Sequence, residues 1–284
     1  MRGRRIHLAV LCLACLLSPQ TVLADTAPRL LALSPHLAEL ACAAGACEQL
    51  VARVEYTDYP PSLRELPTIG NAFALSPEAV AAASPDRVLA WQGGTPIDVV
   101  ERLRAIGLTV DWIEIRGLDG IADAIERIGE LAGTPGPATA AASAFRSELA
   151  RLRETHADRA PVRVLYQIEL QPMYTVSRRS PIHDAIEACG GINVFAELPA
   201  VAASVSGEAA VAAMPEVIVH AEQDDGERIR QWWARFQSVP AVAGGHIFAV
   251  DADRLSRATP RMLGGTRELC ERMERVRRGT ASPR

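Results

Sequence analysis

From Arg29 onward, short apolar runs alternate with longer stretches in which apolar residues recur at helical spacing. RLLALS, QLVARVEY, DRVLAW and TVDWIEI read as strands, and HLAELACAAG and VVERLRAIG as amphipathic helices between them. This alternation predicts an α/β architecture of parallel strands joined by crossover helices. Turn residues agree with it: Gly45 closes the first helix, Pro60-Pro61 follows Tyr59, and Gly107 ends the helix after Arg102. After Pro161 the pattern restarts with the strand VRVLYQIE, a helix IHDAIEACGG, the strand EVIVHA, a helix around IRQWWARF, the strand HIFAV and a last helix ending near Arg278. The second half therefore reads as a reprise of the first.

Between the halves lies GTPGP at 133–137, a loop and helix-start signal, followed by ATAAASAFRSELARLRETHADR with no interior Gly or Pro. Ala138, Ala141, Ala142, Phe145, Leu149 and Leu152 form one apolar stripe along a rod of roughly 20 residues, about 30 Å, long enough to bridge two lobes. The expected organisation is a first α/β lobe over 25–132, a linking helix over 133–160, a second α/β lobe over 161–278 and a tail over 279–284.

A repeat supports this division. LSPEAVAAASPD at 75–86 and VSGEAAVAAMPE at 205–216 place Ser, Glu, two Ala and Pro at the same spacing, as Ser76, Glu78, Ala82, Ala83 and Pro85, then Ser206, Glu208, Ala212, Ala213 and Pro215. Each serine stands where a helix N-cap would, Pro77 fits the first helical position, and each glutamate lies in the first turn, where the helix dipole favours an anion. Capping accounts for these residue types. It does not account for the same glutamate in each half, which a partner of matching two-fold symmetry would.

Composition narrows the function. MRGRRIHLAVLCLACLLSPQTVLA carries Arg2, Arg4 and Arg5, an apolar core from Ile6 to Leu17 and the small-residue site Val22-Leu23-Ala24, so residues 1–24 read as a signal peptide with Asp25 starting the exported chain. The surroundings of Cys15 make a poor lipobox, and no later segment is long and uncharged enough to span a bilayer, so a soluble periplasmic protein is expected. Without its leader the chain has 27 basic and 34 acidic residues, a balance of −7 that invites neither nucleic acid nor an anionic membrane. Its 260 residues suit two lobes of ordinary size. Cys42, Cys47, Cys189 and Cys270 remain, an even number for an oxidising compartment and so two disulfides.

YTDYPP at 56–61, SPEAV at 76–80, SPDRVLAWQGG at 84–94, LRAIGLTVDWIEI at 103–115, EACGGINVF at 187–195 and RATPR at 257–261 occur in series. Together they resemble the periplasmic cobalamin (vitamin B12) binding proteins of ABC importers, within the helical-backbone metal receptor group, from Arg29 to about Met273. The resemblance implies two Rossmann-like α/β lobes joined by a single long rigid α-helix, with a corrinoid held in the cleft between them. It places Tyr56, Trp91, Ile168, Tyr174, Asp253 and Arg257 around that cleft, with Gln92 beside Trp91 in the AWQGG turn. It also implies that Glu78 and Glu208 dock onto arginine pockets of a two-fold symmetric permease, the binding protein itself being a monomer. Cys189 and Cys270 match a bridged pair of the family, which leaves Cys42 and Cys47 to each other, with Gly45 able to turn the chain back between them.

Departures from the pattern are specific. Ala72 and Ala202 stand where tryptophans would press on the ligand, Ile168 replaces an aromatic, and Arg254 stands where another is expected, while Phe73 supplies part of the lost surface. The site is expected to be roomier and more polar at one rim, which suits a different corrinoid or a lower affinity. No cofactor of its own is expected. Among His36, His156, His183, His220 and His246 none shows a metal-binding spacing, although His183, placed in a loop after Pro181, is the one to watch as an axial ligand to cobalt. Haem or a ferric siderophore, bound on the same fold, is the alternative ligand. A secreted hydrolase built on Ser34 and His36 is the weaker alternative, since adjacent positions at a strand end should not aim at one another and no nucleophile elbow, phosphate loop or dinucleotide fingerprint is present.

Overall fold

The computed structural model describes residues 27–71, 74–222 and 224–280. The expected signal peptide, the candidate ligand residue Phe73 with Ala72 beside it, and the last four positions of the tail lie outside the described residues. In chain order the first half holds β1 (Leu30–Ala32), α1 (Pro35–Ala43), β2 (Leu50–Ala52), β3 (Gly70–Asn71), β4 (Ala74–Leu75), α2 (Pro77–Ala83), β5 (Arg87–Trp91), α3 (Ile97–Ala105), β6 (Thr109–Ile113) and α4 (Asp119–Ala132). The long helix α5 (Pro135–His156) follows. The second half holds β7 (Val162–Leu170), β8 (Met173–Val176), α6 (Pro181–Ala188), β9 (Gly191–Asn193), β10 (Ala202–Ser204), α7 (Gly207–Ala212), β11 (Val217–Ala221), α8 (Gly226–Trp233), α9 (Pro240–Ala243), β12 (Ile247–Val250), α10 (Ala252–Leu255) and α11 (Met262–Thr280).

The first sheet has the order β2-β1-β5-β6 and is parallel throughout. The second has the order β10-β8-β7-β11-β12, and β9 adds in parallel to the first residues of β7, pairing Val162 with Gly191. Here the expected reprise is incomplete, because β8 runs antiparallel to β7 and β10 antiparallel to β8. Only Gln171 and Pro172 separate β7 from β8, too few residues for a crossover helix, so the chain must return as a hairpin.

Three apolar clusters of described residues hold these layers. One lies on the outer face of the first sheet with α2 and α3, and one on the outer face of the second sheet with α7 and α8. The third is continuous from Leu30, Leu37 and Leu40 through Ile121 and Ile125 of α4 and Phe145 and Leu149 of α5 to Ile186 of α6 and Met273 of α11. The stripe read from the sequence is the buried face of α5: Ala138, Ala142, Phe145, Leu149 and Leu152 are buried, with Ala141 at its margin. α4 and α5 approach so closely that a Cβ on Gly129 would stand 2.2 Å from that of Ala138, so only glycine fits. On the polar flank Arg146 bonds Asp123 and Glu126, Arg153 holds Asp119 through two hydrogen bonds, and Asp184 of α6 accepts from the Leu118 amide.

Both expected disulfides are formed. Cys42–Cys47 closes the end of α1, where Gly45 at φ +81° turns the chain back, and Cys189–Cys270 joins the end of α6 to α11 across 81 positions. The double variant C189S/C270S should lose about 2–5 kcal/mol of stability, the usual cost of a long-loop bridge in an exported domain. Urea unfolding checks this, and a variant as stable as the oxidised parent would contradict it.

Candidate functional site

In open α/β sheets, ligands sit beyond the carboxyl ends of the parallel strands. Ser34 and His36 follow β1, Tyr56, Asp58 and Tyr59 follow β2, and Trp91 ends β5. From the second sheet, Ile168 lies near the end of β7, and Asp253, Arg257 and Arg261 follow β12. The two sets meet. Glu39 of α1, buried among Leu37, Leu40 and Ala41, accepts from Arg261 through both carboxylate oxygens, at 2.9 Å from Nε and 2.6 Å from Nη2. Arg257 lies 3.5 Å from the same carboxylate, donates to Asp58 at 2.9 Å, and holds Asp253 at 3.0 Å through Nε.

The forked geometry of Arg261 lets a carboxylate be buried without losing its partners, since a paired charge with satisfied oxygens is far less costly than a lone one. Burial works against the charge of Arg261, yet its hydrogen bonds to Glu39 and the negative charges of Glu39, Asp253 and Asp58 raise its pKa. Its guanidinium also lies 4.3 Å from the centre of the Tyr59 ring. Asp253 and Arg257 were expected near one another from the resemblance; Glu39 and Arg261, which join them in this cluster, were not singled out. A signal existed, because Glu39 interrupts an otherwise apolar helix, and an acid in such a stretch requires a cation from elsewhere.

The apolar side of the cleft begins at Trp91. Its ring meets His36 edge-on, with centroids 4.8 Å apart, and the following turn folds over it. That fold needs Gly93 and Gly94: a Cβ on either would fall 2.6 Å or 2.3 Å from the indole. Tyr56 stands at φ +64°, a conformation bulky residues avoid, and is 76% exposed. A strained backbone of this kind persists only where the surrounding structure holds it. Gln92 is exposed beside them.

In the second lobe the β7–β8 register slips between Gln167 and Glu169, a bulge at Ile168 that turns its side chain outward. Ile168 and Tyr174 are exposed, and the Tyr166 hydroxyl bonds Ser256 at 2.7 Å, tying β7 to the segment that carries Arg257. Arg254 lies apart from this cluster. Its guanidinium covers Gly264, in a polar groove along α11 with Arg267 and Glu268. Ala202 is exposed on the edge strand β10.

Two expectations about histidines are corrected. Ser34 and His36 do approach, with Oγ 3.5 Å from Nε2, because α1 begins at Pro35 and brings position 36 back over its N-cap. Burial, and then the charge of Arg257, lower the His36 pKa to about 4, so the ring is neutral near pH 7. His183 lies in α6 rather than in a loop, because Ser180 caps the helix and Pro181 opens it. The residues around it are Asp184 and Glu187, with ligand-type atoms within 4.8 Å of one another, a spacing that a comparison of histidines alone did not reveal. His183 Nε2 lies 3.3 Å from the Glu187 carboxylate.

The repeated serines cap their helices, Ser76 Oγ accepting from the Ala79 amide at 3.2 Å and Ser206 Oγ from the Ala209 amide at 3.1 Å. Glu78 and Glu208 remain exposed at the starts of α2 and α7. The backbone N–H of Glu208, and then Ser206, keep its carboxyl below the usual range.

Facing strand ends, a helical tie behind them and aromatic side chains beside an ion network seated on the buried Glu39 define a two-lobed solute-binding architecture. The chain belongs to the periplasmic binding protein family, whose model matches residues 30–254. The vitamin B12-binding protein of Vibrio parahaemolyticus is 33% identical over 265 residues, 92% of this chain and 94% of that one. The crystal structure of the periplasmic vitamin B12 binding protein of Vibrio cholerae superposes with a TM-score of 0.79 at 33% identity, covering 88% of this chain and 98% of that one. The periplasmic heme-binding protein of Roseiflexus sp. RS-1 reaches 0.78 at 22% identity over 88% of this chain and 99% of that one, a likeness of fold alone. Among the described residues, no helix is long and apolar enough to cross a membrane.

Replacing Glu39 with Gln should destabilise the protein by about 2–4 kcal/mol, because Arg261 loses its buried partner while its own partial exposure limits the penalty. Denaturant unfolding measures it. The pH dependence follows from His36: the folded chain holds the ring neutral down to about pH 4, whereas the unfolded chain takes up the proton near 6.5. Stability from this group is intact above pH 6.5 and falls as pH drops, by about 2 kcal/mol on reaching pH 5. A His36→Gln variant should lose that slope.

Proposed function

We propose that this protein captures cobalamin or a related corrinoid in the periplasm and delivers it to an inner-membrane ABC permease. The observation that carries the reading is the near-full-length likeness to vitamin B12-binding proteins at 33% identity. The cleft suits it: a corrinoid ring is broad, flat and partly apolar with amide groups at its rim, and Tyr56 and Trp91 offer flat surface while Asp58, Asp253 and Arg257 offer polar partners. Ile168 and Ala202 take less of that space than aromatics would, which favours a corrinoid with a bulkier or altered lower face. The haem alternative is less well served, since His36 turns its Nε2 to Ser34 and its ring against Trp91. In this reading the chain acts as a monomer, freed from its signal peptide near Ala24, and performs no catalysis.

Glu78 and Glu208 are its docking groups. The Glu78 carboxylate accepts from the Ser76 hydroxyl at 3.1 Å, and both carboxylates stay exposed at their helix starts, where basic pockets on the two permease subunits can reach them.

The purified protein should retain a corrinoid through desalting in 1:1 ratio with submicromolar affinity, about −8 kcal/mol or better. Visible absorbance identifies what is retained, and Trp91→Ala should weaken binding at least tenfold. Retention of haem and of no corrinoid would overturn the reading. The double variant E78A/E208A should keep its fold and corrinoid affinity while losing permease association, since truncating one member of a desolvated charge pair costs about 2–5 kcal/mol. Reversal of both charges to Lys should be worse, as pull-down on the same preparations will report.

A further inference from the structure

Outside the residues of the cleft, α6 presents three metal-ligating side chains to one cavity. His183, Asp184 and Glu187 bring a ring nitrogen and two carboxylate oxygens within 4.8 Å of one another. Helical geometry accounts for the grouping, because Glu187 stands four positions after His183 and three after Asp184, the two spacings at which helical side chains meet. A cavity of about 490 Å³ opens over them, walled further by Ile192, Asn193, Arg178 and Glu197. Tyr56, Trp91, Asp253 and Arg257 take no part in lining it.

The histidine is the buried member of the group. It is 9% exposed, its Nδ1 is buried and has no hydrogen-bond partner, and its Nε2 lies 3.3 Å from the Glu187 carboxylate. A buried polar atom without a partner calls for an ion or a water at the site. Asp184 is positioned from the first lobe: its Oδ2 accepts from the Leu118 amide at 2.8 Å, and Gly117, at φ +63°, carries no side chain to collide with it. That leaves Oδ1 for a ligand. Burial pushes the Asp184 carboxyl up despite the Leu118 bond and the nearby Arg153, so its negative charge is under-compensated.

We propose that His183, Asp184 and Glu187 form a binding site for a divalent transition metal ion of the zinc class, held by one imidazole nitrogen and two carboxylates. The donor set selects the ion. Calcium and magnesium take oxygen ligands and require more of them, whereas an imidazole with carboxylates suits zinc and its neighbours. Around tetrahedral zinc, ligand atoms about 2.1 Å from the ion stand about 3.4 Å apart, so the exposed Glu187 need only swing inward to close the site. Three protein ligands leave the fourth position to water. The other polar walls are engaged elsewhere: Asn193 bonds Val176 and Phe195, and Arg178 pairs with Glu197. With that pair cancelled, the cavity keeps the two negative charges of Asp184 and Glu187, which a divalent cation balances.

The test uses the exported chain, stripped of metal with EDTA and desalted. Calorimetric titration with zinc chloride should show one ion bound with micromolar affinity, and zinc should raise the melting temperature, as a ligand of the folded state does. Glu187→Gln should weaken zinc binding at least about tenfold, and because the position is exposed its metal-free melting temperature should match the parent's. His183→Gln should abolish binding at the same zinc concentrations, and calcium chloride should give no heat with the parent. If the parent binds no zinc, or if both variants bind it as the parent does, the proposal is overturned. Calcium bound as tightly as zinc would overturn it as well.

Discussion

One apolar core runs from the first sheet through α4 and α5 into the second, and the placing of the cleft depends on it. Its tightest point is the contact of Gly129 with Ala138, where the two helices touch with no side chain on one of them. Lobes joined by a flexible linker would sample many orientations, and residues on opposite strand ends would meet rarely. Here the tie is a 22-residue helix with a buried stripe, flanked by the ion pairs of Arg146 and Arg153, so relative motion of the lobes must work against packed side chains.

Because the lobes are held, charges far apart in sequence can be used across the gap. Glu39 and Arg261 are separated by 222 positions and still form a forked pair. Arg257 then joins Asp58 of one lobe to Asp253 of the other and, by its charge, helps to keep His36 neutral. The polar cluster at the facing strand ends is thus ordered by the fold itself. The apolar half is prepared differently, by backbone: a tyrosine at positive φ, a pair of glycines folded over an indole, and a bulge in β7. Preparation of both kinds reduces the ordering cost that binding would otherwise incur.

Outer surfaces follow from the repeat rather than from the cleft. Each lobe repeats a capped helix, a strand and a further helix, so each exposes a carboxylate at the start of its capped helix. The second lobe departs from the first where Gln171-Pro172 forces a hairpin, and that change adds the antiparallel edge on which Tyr174 and Ala202 lie.

The sequence by itself determined the order of most elements, the buried stripe of α5 and the caps at Ser76 and Ser206. These follow from spacing, turn chemistry and local hydrogen bonding, which a few neighbouring residues settle, and from a resemblance carried by short motifs in series. The bridge Cys189–Cys270 agreed with that resemblance, and Cys42–Cys47 is the pair that it left over. Tertiary structure alone decided the partners of Glu39 and Arg261 and the turning of Arg254 onto α11. Each of these depends on which distant segment is brought within a few ångströms, or on which face of an element is covered, and a pattern of apolar and polar positions records that an acid is buried without recording which arginine will meet it.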